Sequence, residues 1–260
     1  MSSSTSSEVV VRTRHLGKAY QLYAHRSDWL KQVMFGTWKT YYKPFWVLRD
    51  IDLDVYRGDS IGILGRNGCG KSTLLQVICG MTLPSNGELR VTGRVAPVLA
   101  LGATFDAELS GRENIMIGGA VMGLSRAEVL EKFDSMAEFA GIGDYMEQPV
   151  KHYSMGMRTR LAFAICPHVE AEILGVDEAL AVGDAAFQRK CLDWIDSFRS
   201  KGTLLFVSHS PAEVRRLCNR AIWIEDGRIR SQGDPSVVIR AYNRALAMEK
   251  DDIHRFSVSE

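Results

Sequence analysis

Residues 65–73 have the sequence Gly65-Arg66-Asn67-Gly68-Cys69-Gly70-Lys71-Ser72-Thr73, which matches the phosphate-binding pattern G-x-x-x-x-G-K-[ST]. Glycines at these spacings let backbone N–H groups surround a triphosphate, and the dipole of a following helix favours its negative charge. The context fits, because the sequence predicts a buried strand over 60–64 and a helix over 72–78. In such a loop Lys71 contacts the β- and γ-phosphates and the Ser72 hydroxyl is a ligand of Mg²⁺. We therefore predict a site for a nucleoside triphosphate and Mg²⁺.

The composition limits the class of protein. The chain has 260 residues and a formal net charge of +1, so it can form one large domain but lacks the basic field that favours nucleic acid. Its five cysteines have no C-x-x-C spacing, and one lies inside the glycine-rich loop, so we expect reduced thiols. The serine-rich start does not resemble a secretory signal, and no apolar run is long enough to cross a bilayer. We expect any membrane role to come through a partner.

Strands and helices alternate along the chain. Strands are predicted over 9–13, 47–55, 60–64, 87–91, 173–176, 203–207 and 221–224, and helices over 127–140, 158–166 and 235–248. This order predicts an open α/β sheet with a helical insertion at about 104–165. We expect residues 1–8 to be disordered, residues 9–248 to form a single domain, and residues 249–260 to form a polar tail.

Two apolar strands end in residues that suit a phosphate site. Asp177 and Glu178 follow the strand at 173–176, and His209 follows the strand at 203–207. If both strands end beside residues 65–73, Asp177 can bind Mg²⁺, Glu178 can orient the attacking water and His209 can hydrogen-bond the γ-phosphate. The alternative is two solvated acids and a structural histidine. Their order after a phosphate loop favours a catalytic set of Lys71, Glu178 and His209.

A further motif, Tyr153-Ser154-Met155-Gly156-Met157-Arg158, lies about twenty residues before Asp177. By itself it could be a helix capped by a serine. Together with the phosphate loop, the two carboxylates and His209, it resembles the Leu-Ser-Gly-Gly-Gln signature of ATP-binding-cassette (ABC) ATPases. Ser154 and Gly156 match that signature. The resemblance implies the P-loop NTPase fold of ABC ATPases, an α/β fold with a RecA-like core, a small antiparallel β region and an inserted helical subdomain.

The resemblance also implies how ATP and Mg²⁺ are bound. In this family the signature caps ATP held by a second chain, so we expect a homodimer. One chain would bind ATP through residues 65–73 and Asp177, with Ser72 and Asp177 at Mg²⁺, and the other would contribute the signature residues Ser154, Met155, Gly156 and Met157. The D-loop, which lies across the dimer interface, corresponds to Ala181, Val182, Gly183 and Asp184. The resemblance implies an aromatic residue stacked on adenine shortly before the phosphate loop; Tyr20 fits that place, and Trp46 is a competitor for the role.

Three stretches resemble one branch of the family, the ATPases that export capsular polysaccharides and O-antigens. These are the altered signature, residues 101–105 with 109–114, and residues 177–190. Because the interval 94–114 contains no glutamine, we assign no residue to the usual Q-loop contact. The resemblance implies a subunit that drives two polytopic membrane permease subunits at the cytoplasmic face of the bacterial inner membrane. Its cargo would be a lipid-linked polysaccharide, and no C-terminal carbohydrate-binding domain is expected.

Two other functions are weighed against this one. The first is export of teichoic acid or another lipid-linked cargo, which the sequence leaves open. The second is a soluble ABC ATPase acting on ribosomes or DNA. Such proteins usually carry two cassettes or a long coiled coil, whereas this chain has one cassette, no long heptad region and a charge near zero. We therefore expect no nucleic-acid partner.

An aromatic insertion is predicted at about 21–46. Nine of the chain's 23 aromatic residues lie within residues 20–46: Tyr20, Tyr23, Trp29, Phe35, Trp38, Tyr41, Tyr42, Phe45 and Trp46. Four cations accompany them, and a short helix is predicted over 28–35. One interpretation is a local aromatic core. The interpretation we favour is a basic aromatic element that faces the membrane surface or the entrance used by the transported substrate.

Overall fold

The structure is a computed structural model that describes residues 8–35, 40–98, 105–177 and 184–257, with side chains described as far as residue 248. Its strands are β1 (Val9–Leu22), β2 (Lys43–Tyr56), β3 (Ser60–Leu64), β4 (Asn86–Val91), β5 (Val95–Val98), β6 (Ile173–Asp177), β7 (Thr203–Val207), β8 (Arg220–Glu225) and β9 (Arg228–Gly233). Its helices are α1 (Arg26–Phe35), α2 (Lys71–Ile78), α3 (Gly111–Val121), α4 (Arg126–Ala140), α5 (Met155–Ala164), α6 (Ala185–Arg199), α7 (Pro211–Leu217) and α8 (Pro235–Ser257).

The larger sheet has six strands in the order β5-β6-β7-β3-β8-β9, of which the first five are parallel and β9 is antiparallel. Every residue of β3 and β7 is buried, as expected for parallel strands covered on both faces. The register pairs Val207 with both Ile63 and Asp177. The carboxyl ends of β3, β6 and β7 therefore meet at one edge of the sheet, where ligands of open α/β sheets bind.

The two faces of this sheet belong to different hydrophobic cores. Successive side chains of a strand point to opposite faces. Accordingly Leu205 and Val207 of β7 pack in one core with α2 and the small sheet, while Leu204 and Phe206 pack in the other with helices α3 to α8. The small sheet is antiparallel and has the order β2-β1-β4. The phosphate loop thus follows β3, a strand that is buried on both faces of the sheet.

Helices α3, α4 and α5 lie within the interval 104–165, where a helical insertion is predicted. Serine caps begin α3 and α4, each with a glutamate three residues later that completes a capping box. Helix α3 was not predicted, because Gly118 and Gly119 lower helix propensity. A Cβ at Gly118 would lie 2.5 Å from Ile165 Cδ1, and one at Gly119 would lie 2.5 Å from Val129 Cγ2. Close helix packing therefore requires the two glycines.

Three boundaries differ from the sequence predictions. Strand β1 continues to Leu22 and β2 begins at Lys43, so the ends of the predicted aromatic insertion belong to one long β1–β2 hairpin. Helix α1 begins at Arg26, close to the predicted start. Helix α8 continues to Ser257, so residues 249–257 of the predicted polar tail are helical. Residues 1–7 lie outside the described residues, and Glu8 forms an ion pair with Arg57.

Across the described ranges, every helix is too short or too polar to cross a lipid bilayer.

Candidate nucleotide-binding site

The phosphate loop joins β3 to α2 through a backbone path that requires glycine. Gly68 and Gly70 have φ values of 79° and 107°, in the left-handed region that other residues avoid. A Cβ on Gly70 would lie 2.8 Å from the Val47 carbonyl oxygen, and one on Gly65 would lie 2.4 Å from the Ile224 carbonyl oxygen. Larger residues at these two positions would displace the loop. The predicted cradle of backbone is therefore present.

Lys71 is the first residue of α2, and its side chain is directed back into the loop. Only 6% of Lys71 is exposed, and its Nζ donates hydrogen bonds to the carbonyl oxygens of Gly65 (2.9 Å) and Arg66 (3.0 Å). The N-cap residue, Gly70, offers no side chain to the first N–H groups of α2. Orphan N–H groups and a buried ammonium are the donors that a triphosphate needs. Residues 65–73 thus fit the predicted ligand.

Asp177 and His209 lie at the same edge of the sheet as the loop. Asp177 is the half-buried last residue of β6 and pairs with Val207 of β7. His209 is exposed two residues after β7 ends, and the buried hydroxyl of Ser208 before it donates a hydrogen bond to Glu213 (2.7 Å). Glu178 lies outside the described residues. The structure therefore brings Lys71, Ser72, Asp177 and His209 to one edge, as the strand order requires.

The predicted signature forms the start of α5. Ser154 is its N-cap, and the Ser154 hydroxyl accepts a hydrogen bond from the Met157 N–H (3.2 Å). Met155 is exposed, and a Cβ at Gly156 would have only the Ser154 hydroxyl within 4 Å, at 3.9 Å. The helix start is therefore open to an approaching molecule, which a buried structural cap would not be.

Asp184 is the one predicted D-loop residue that the structure describes, since Ala181, Val182 and Gly183 lie outside the described residues. It is the N-cap of α6, where its carboxylate accepts a hydrogen bond from the Phe187 N–H (2.9 Å). The same carboxylate forms an ion pair with Arg160. The Phe187 N–H, and then Arg160, lower the pKa of Asp184 below its usual value. The side chain is thus held as a carboxylate.

The two candidates for adenine stacking occupy different positions. Trp46 and Phe45 line a cavity of about 550 Å³, whose lining also includes Arg66–Cys69 of the loop and the aromatic residues Trp223 and Tyr242. Tyr20 lies on the neighbouring strand, opposite Phe45, and the Lys18 ammonium is 5.2 Å from its ring centroid. Trp46 therefore adjoins a cavity at the loop, and Tyr20 lies on the exposed end of the neighbouring strand.

Of the two segments before α4 that resemble the polysaccharide branch, 101–105 and 109–114, the structure describes only the second in full. Residues 101–104 lie outside the described residues. In the segment 109–114, Asn114 is fully buried and its amide donates to the carbonyl oxygens of Asp106, Leu109 and Ser110. Its own oxygen accepts from the Asp106 N–H (2.9 Å). Asn114 therefore fixes the loop that enters the helical subdomain, a role that sequence analysis did not assign.

The cysteines are thiols, as predicted. All five are free in the structure. Cys69 packs beneath the phosphate loop, where a Cβ on Gly65 would lie 2.5 Å from its sulfur. Burial raises the pKa of the Cys69 thiol above its usual value, so it remains protonated near neutral pH. Cys69 therefore acts as a small packing residue within the loop.

Comparison with known proteins identifies the family. The family model described as "ABC transporter" matches residues 48–181. The chain belongs to the ABC transporter family. The ABC transporter protein AbcA of Aeromonas salmonicida is 45% identical over 96% of this chain and 81% of its own length. The O-antigen export system ATP-binding protein RfbB of Klebsiella pneumoniae is 38% identical over 92% of this chain and 99% of its own.

Solved structures confirm the fold of this ABC protein. The ATP-binding cassette MJ0796, in a dimer bound to ADP and Pi, matches with a TM-score of 0.67 over 86% of this chain and 98% of its own, at 18% identity. The ATP-binding subunit of an ABC transporter matches with a TM-score of 0.69 over 90% and 93%, at 19% identity. The predicted P-loop ABC-ATPase fold is therefore confirmed, and the chain is an ATPase of this family.

Proposed function

We propose that this ABC ATPase drives export of a lipid-linked polysaccharide of the O-antigen or capsule type. The similarity to RfbB, which covers almost the whole of both chains, is the observation that carries this proposal. The altered signature at residues 153–158, which resembles that of this branch, also supports it. The polysaccharide would pass through two polytopic permease subunits, and the chain would lie at the cytoplasmic face of the inner membrane.

The proposed site uses residues from two copies of the chain. Residues 65–73 of one copy hold the phosphates, with Lys71 at the β- and γ-phosphates and Ser72 and Asp177 as the residues that would hold Mg²⁺. When bound, Mg²⁺ would neutralise charge on the phosphate oxygens. Glu178 orients the attacking water, and His209 donates a hydrogen bond to the phosphate. Ser154 and Gly156 of the other copy contact the γ-phosphate, a role supported by their position at the start of α5, where Ser154 is exposed and Gly156 partly exposed.

A second candidate cargo is teichoic acid. The teichoic acids export ATP-binding protein TagH of Listeria monocytogenes is 39% identical over 90% of this chain and 70% of its own length. The ATPase core does not distinguish the two cargos, because both are carried on a lipid and neither contacts the nucleotide. The permease, and the surfaces of this chain that face it, would therefore determine which cargo is exported.

We also propose that the aromatic insertion faces the membrane surface or the substrate entrance. All ten residues of α1 are at least partly exposed, and five large apolar side chains are half exposed or more: Trp29, Leu30, Val33, Met34 and Phe35. A local aromatic core would bury such side chains. Exposed apolar surface of this extent marks an interaction site. Trp38 lies outside the described residues.

A deletion experiment tests the proposed function. In cells that lack the chain, we expect surface polysaccharide to be lost and lipid-linked polysaccharide to accumulate inside, where labelled sugar extracted with the lipid fraction measures it. The wild-type gene should restore export and a Lys71→Ala gene should not. Normal surface polysaccharide in the deletion strain would contradict the proposal, and loss of teichoic acid instead would select the second cargo.

A further inference from the structure

Arg160 occupies a place where three elements meet. It lies on α5, six residues after the signature serine, and its guanidinium forms an ion pair with Asp184 at the start of α6. The same group donates to the Gly141 carbonyl oxygen at the end of α4 (3.5 Å) and lies 5.2 Å from the ring centroid of Phe187. A single side chain therefore joins the signature helix, the end of α4 and Asp184, the last residue of the predicted D-loop.

The ion pair borders the open start of α5. A cavity of about 370 Å³ is lined by Ser154, Gly156 and Met157 of the predicted signature and by Arg160 and Asp184. The signature helix and the end of the predicted D-loop thus share one concave surface. An element from another molecule that contacted Ser154 here would also meet the Arg160–Asp184 pair.

The surrounding packing does not depend on this ion pair. Lys190 of α6 donates to the Phe139 carbonyl oxygen (3.2 Å), and its ammonium lies 4.0 Å from the Phe139 ring centroid. The Phe163 ring contacts the rings of Phe187 and Trp194, with centroid distances of 6.3 and 5.6 Å. These contacts already attach α6 to the helical subdomain. A polar replacement of Arg160 should therefore leave the fold intact.

Another ion pair in the same subdomain provides a matched comparison. Arg112 on α3 forms a bidentate pair with Glu147 and lies 4.0 Å from the Phe133 ring centroid. Arg112 and Arg160 therefore have the same chemistry, each with a carboxylate and an aromatic ring. Only Arg160 borders the cavity at the signature. A difference between the two arginines would measure the effect of position alone.

We propose that Arg160 is a positioning residue for ATP hydrolysis. By pairing with Asp184 it holds the end of the D-loop against the signature helix, so that both present a single preformed surface to the nucleotide bound by a second copy of the chain. This inference rests on the proposed ATP-bound dimer. It assigns Arg160 no contact with its own chain's phosphate loop. Its loss should therefore weaken closure of the dimer while leaving nucleotide binding by the single chain unchanged.

The test compares Arg160→Gln, Asp184→Asn and the control Arg112→Gln. Asparagine retains the capping function of Asp184 but removes its charge. Turnover is measured by phosphate release, and single-chain binding by a fluorescent ATP analogue. Dimerisation with ATP is measured by analytical ultracentrifugation in a Glu178→Gln background. We expect Arg160→Gln and Asp184→Asn each to lower kcat and weaken the dimer by about tenfold or more. Analogue affinity and Tm should match those of Arg112→Gln.

Coupling between the two residues gives a second readout. The double variant R160Q/D184N should be no worse than either single variant, because both remove the same interaction. Values of kcat and dimer affinity equal to those of Arg112→Gln would overturn the inference. If Arg160→Gln lowers Tm more than the control does, the kcat and dimer affinity of Asp184→Asn decide whether the inference holds. Failure of the Glu178→Gln parent to dimerise with ATP would instead contradict the proposed function itself.

Discussion

The phosphate loop and helix α1 are opposite exceptions to the rule that charged side chains are exposed and apolar side chains are buried. The loop buries the ammonium of Lys71, whereas α1 exposes large apolar side chains such as Val33 and Met34. Within the loop, backbone carbonyls accept hydrogen bonds from the lysine, so burial of its ammonium requires no other macromolecule. The apolar surface of α1 has no such internal compensation among the described residues. The first pattern suits a small anionic ligand, and the second suits a large partner.

Removal of the buried ammonium should have the largest effect. Lys71→Ala deletes the cation that compensates the γ-phosphate during transfer, so we expect kcat to fall by about a thousandfold. Phosphate release measures it, with Lys151→Ala as the control, because Lys151 forms an exposed ion pair with Glu108. An active Lys71→Ala protein would show that the loop serves another purpose.

A pair of glycine variants should separate the cost of backbone strain from the cost of a steric clash within the loop. Gly68 and Gly70 both have positive φ, but a Cβ on Gly68 would have no atom within 4 Å, whereas one on Gly70 would clash with Val47. We expect Gly70→Ala to lower the free energy of unfolding by about 3 kcal/mol and Gly68→Ala by about 1 kcal/mol. Urea denaturation measures both. Equal losses would mean that the clash with Val47 is relieved at no cost.

Polar replacement of the exposed face of α1 should affect transport only. In the variant L30S/V33S/M34S we expect export of the cargo to fall by about tenfold or more, because each buried side chain contributes about 1.5–3 kcal/mol to an interface. ATPase activity and Tm should remain at wild-type values, since these side chains are already exposed in the isolated chain. Surface polysaccharide, detected by antibody, measures export. A marked fall in Tm would indicate that α1 packs within the protein, contrary to the structure.

A histidine outside both regions should give the smallest effect. His15 Nδ1–H donates a hydrogen bond to the Asp50 carboxylate (2.7 Å), and a carboxylate oxygen of Asp52 lies 3.9 Å from the same nitrogen. The contact with Asp50 and the charge of Asp52 raise the pKa of His15. Its stabilising contribution should be complete below the ordinary pKa of histidine and lost as pH rises through the raised value. NMR titration should show that the pKa of His15 lies above the ordinary pKa of histidine, and Asp50→Asn should reduce the difference.

The sequence predicted the loop region well because its signals are local. Strand, glycines, lysine and helix follow one another within twenty residues, and each depends on the backbone path of its neighbours. The strand ends at Asp177 and His209 were predicted for a related reason, since buried parallel strands are continuous apolar runs. The structure confirms where these strands end and places both ends at the edge that carries the loop.

Other features depend on contacts between distant segments, and these were missed. Helix α3 contains Gly118 and Gly119, whose value appears only when Ile165 and Val129 pack against them. The Arg160–Asp184 pair joins residues 24 positions apart, across the end of the helical subdomain. The long hairpin was underestimated because the ends of β1 and β2 are rich in aromatic and polar residues that pair across strands rather than alternate. Pairing of this kind is not encoded in either strand alone.

Strand β2 connects the two regions compared above, because it packs against the phosphate loop and begins close to helix α1. Near its middle, Val47 packs beside Gly70 of the loop, and Arg49 N–H donates to the Gly227 carbonyl oxygen (2.8 Å). Its first residue, Lys43, is paired with Leu22, four residues before α1 begins. At about 3.3 Å per residue, Val47 and Lys43 are about 13 Å apart. A short length of β2 thus connects the region of helix α1 to a residue that packs against the phosphate loop, so a displacement of α1 would be transmitted to the loop.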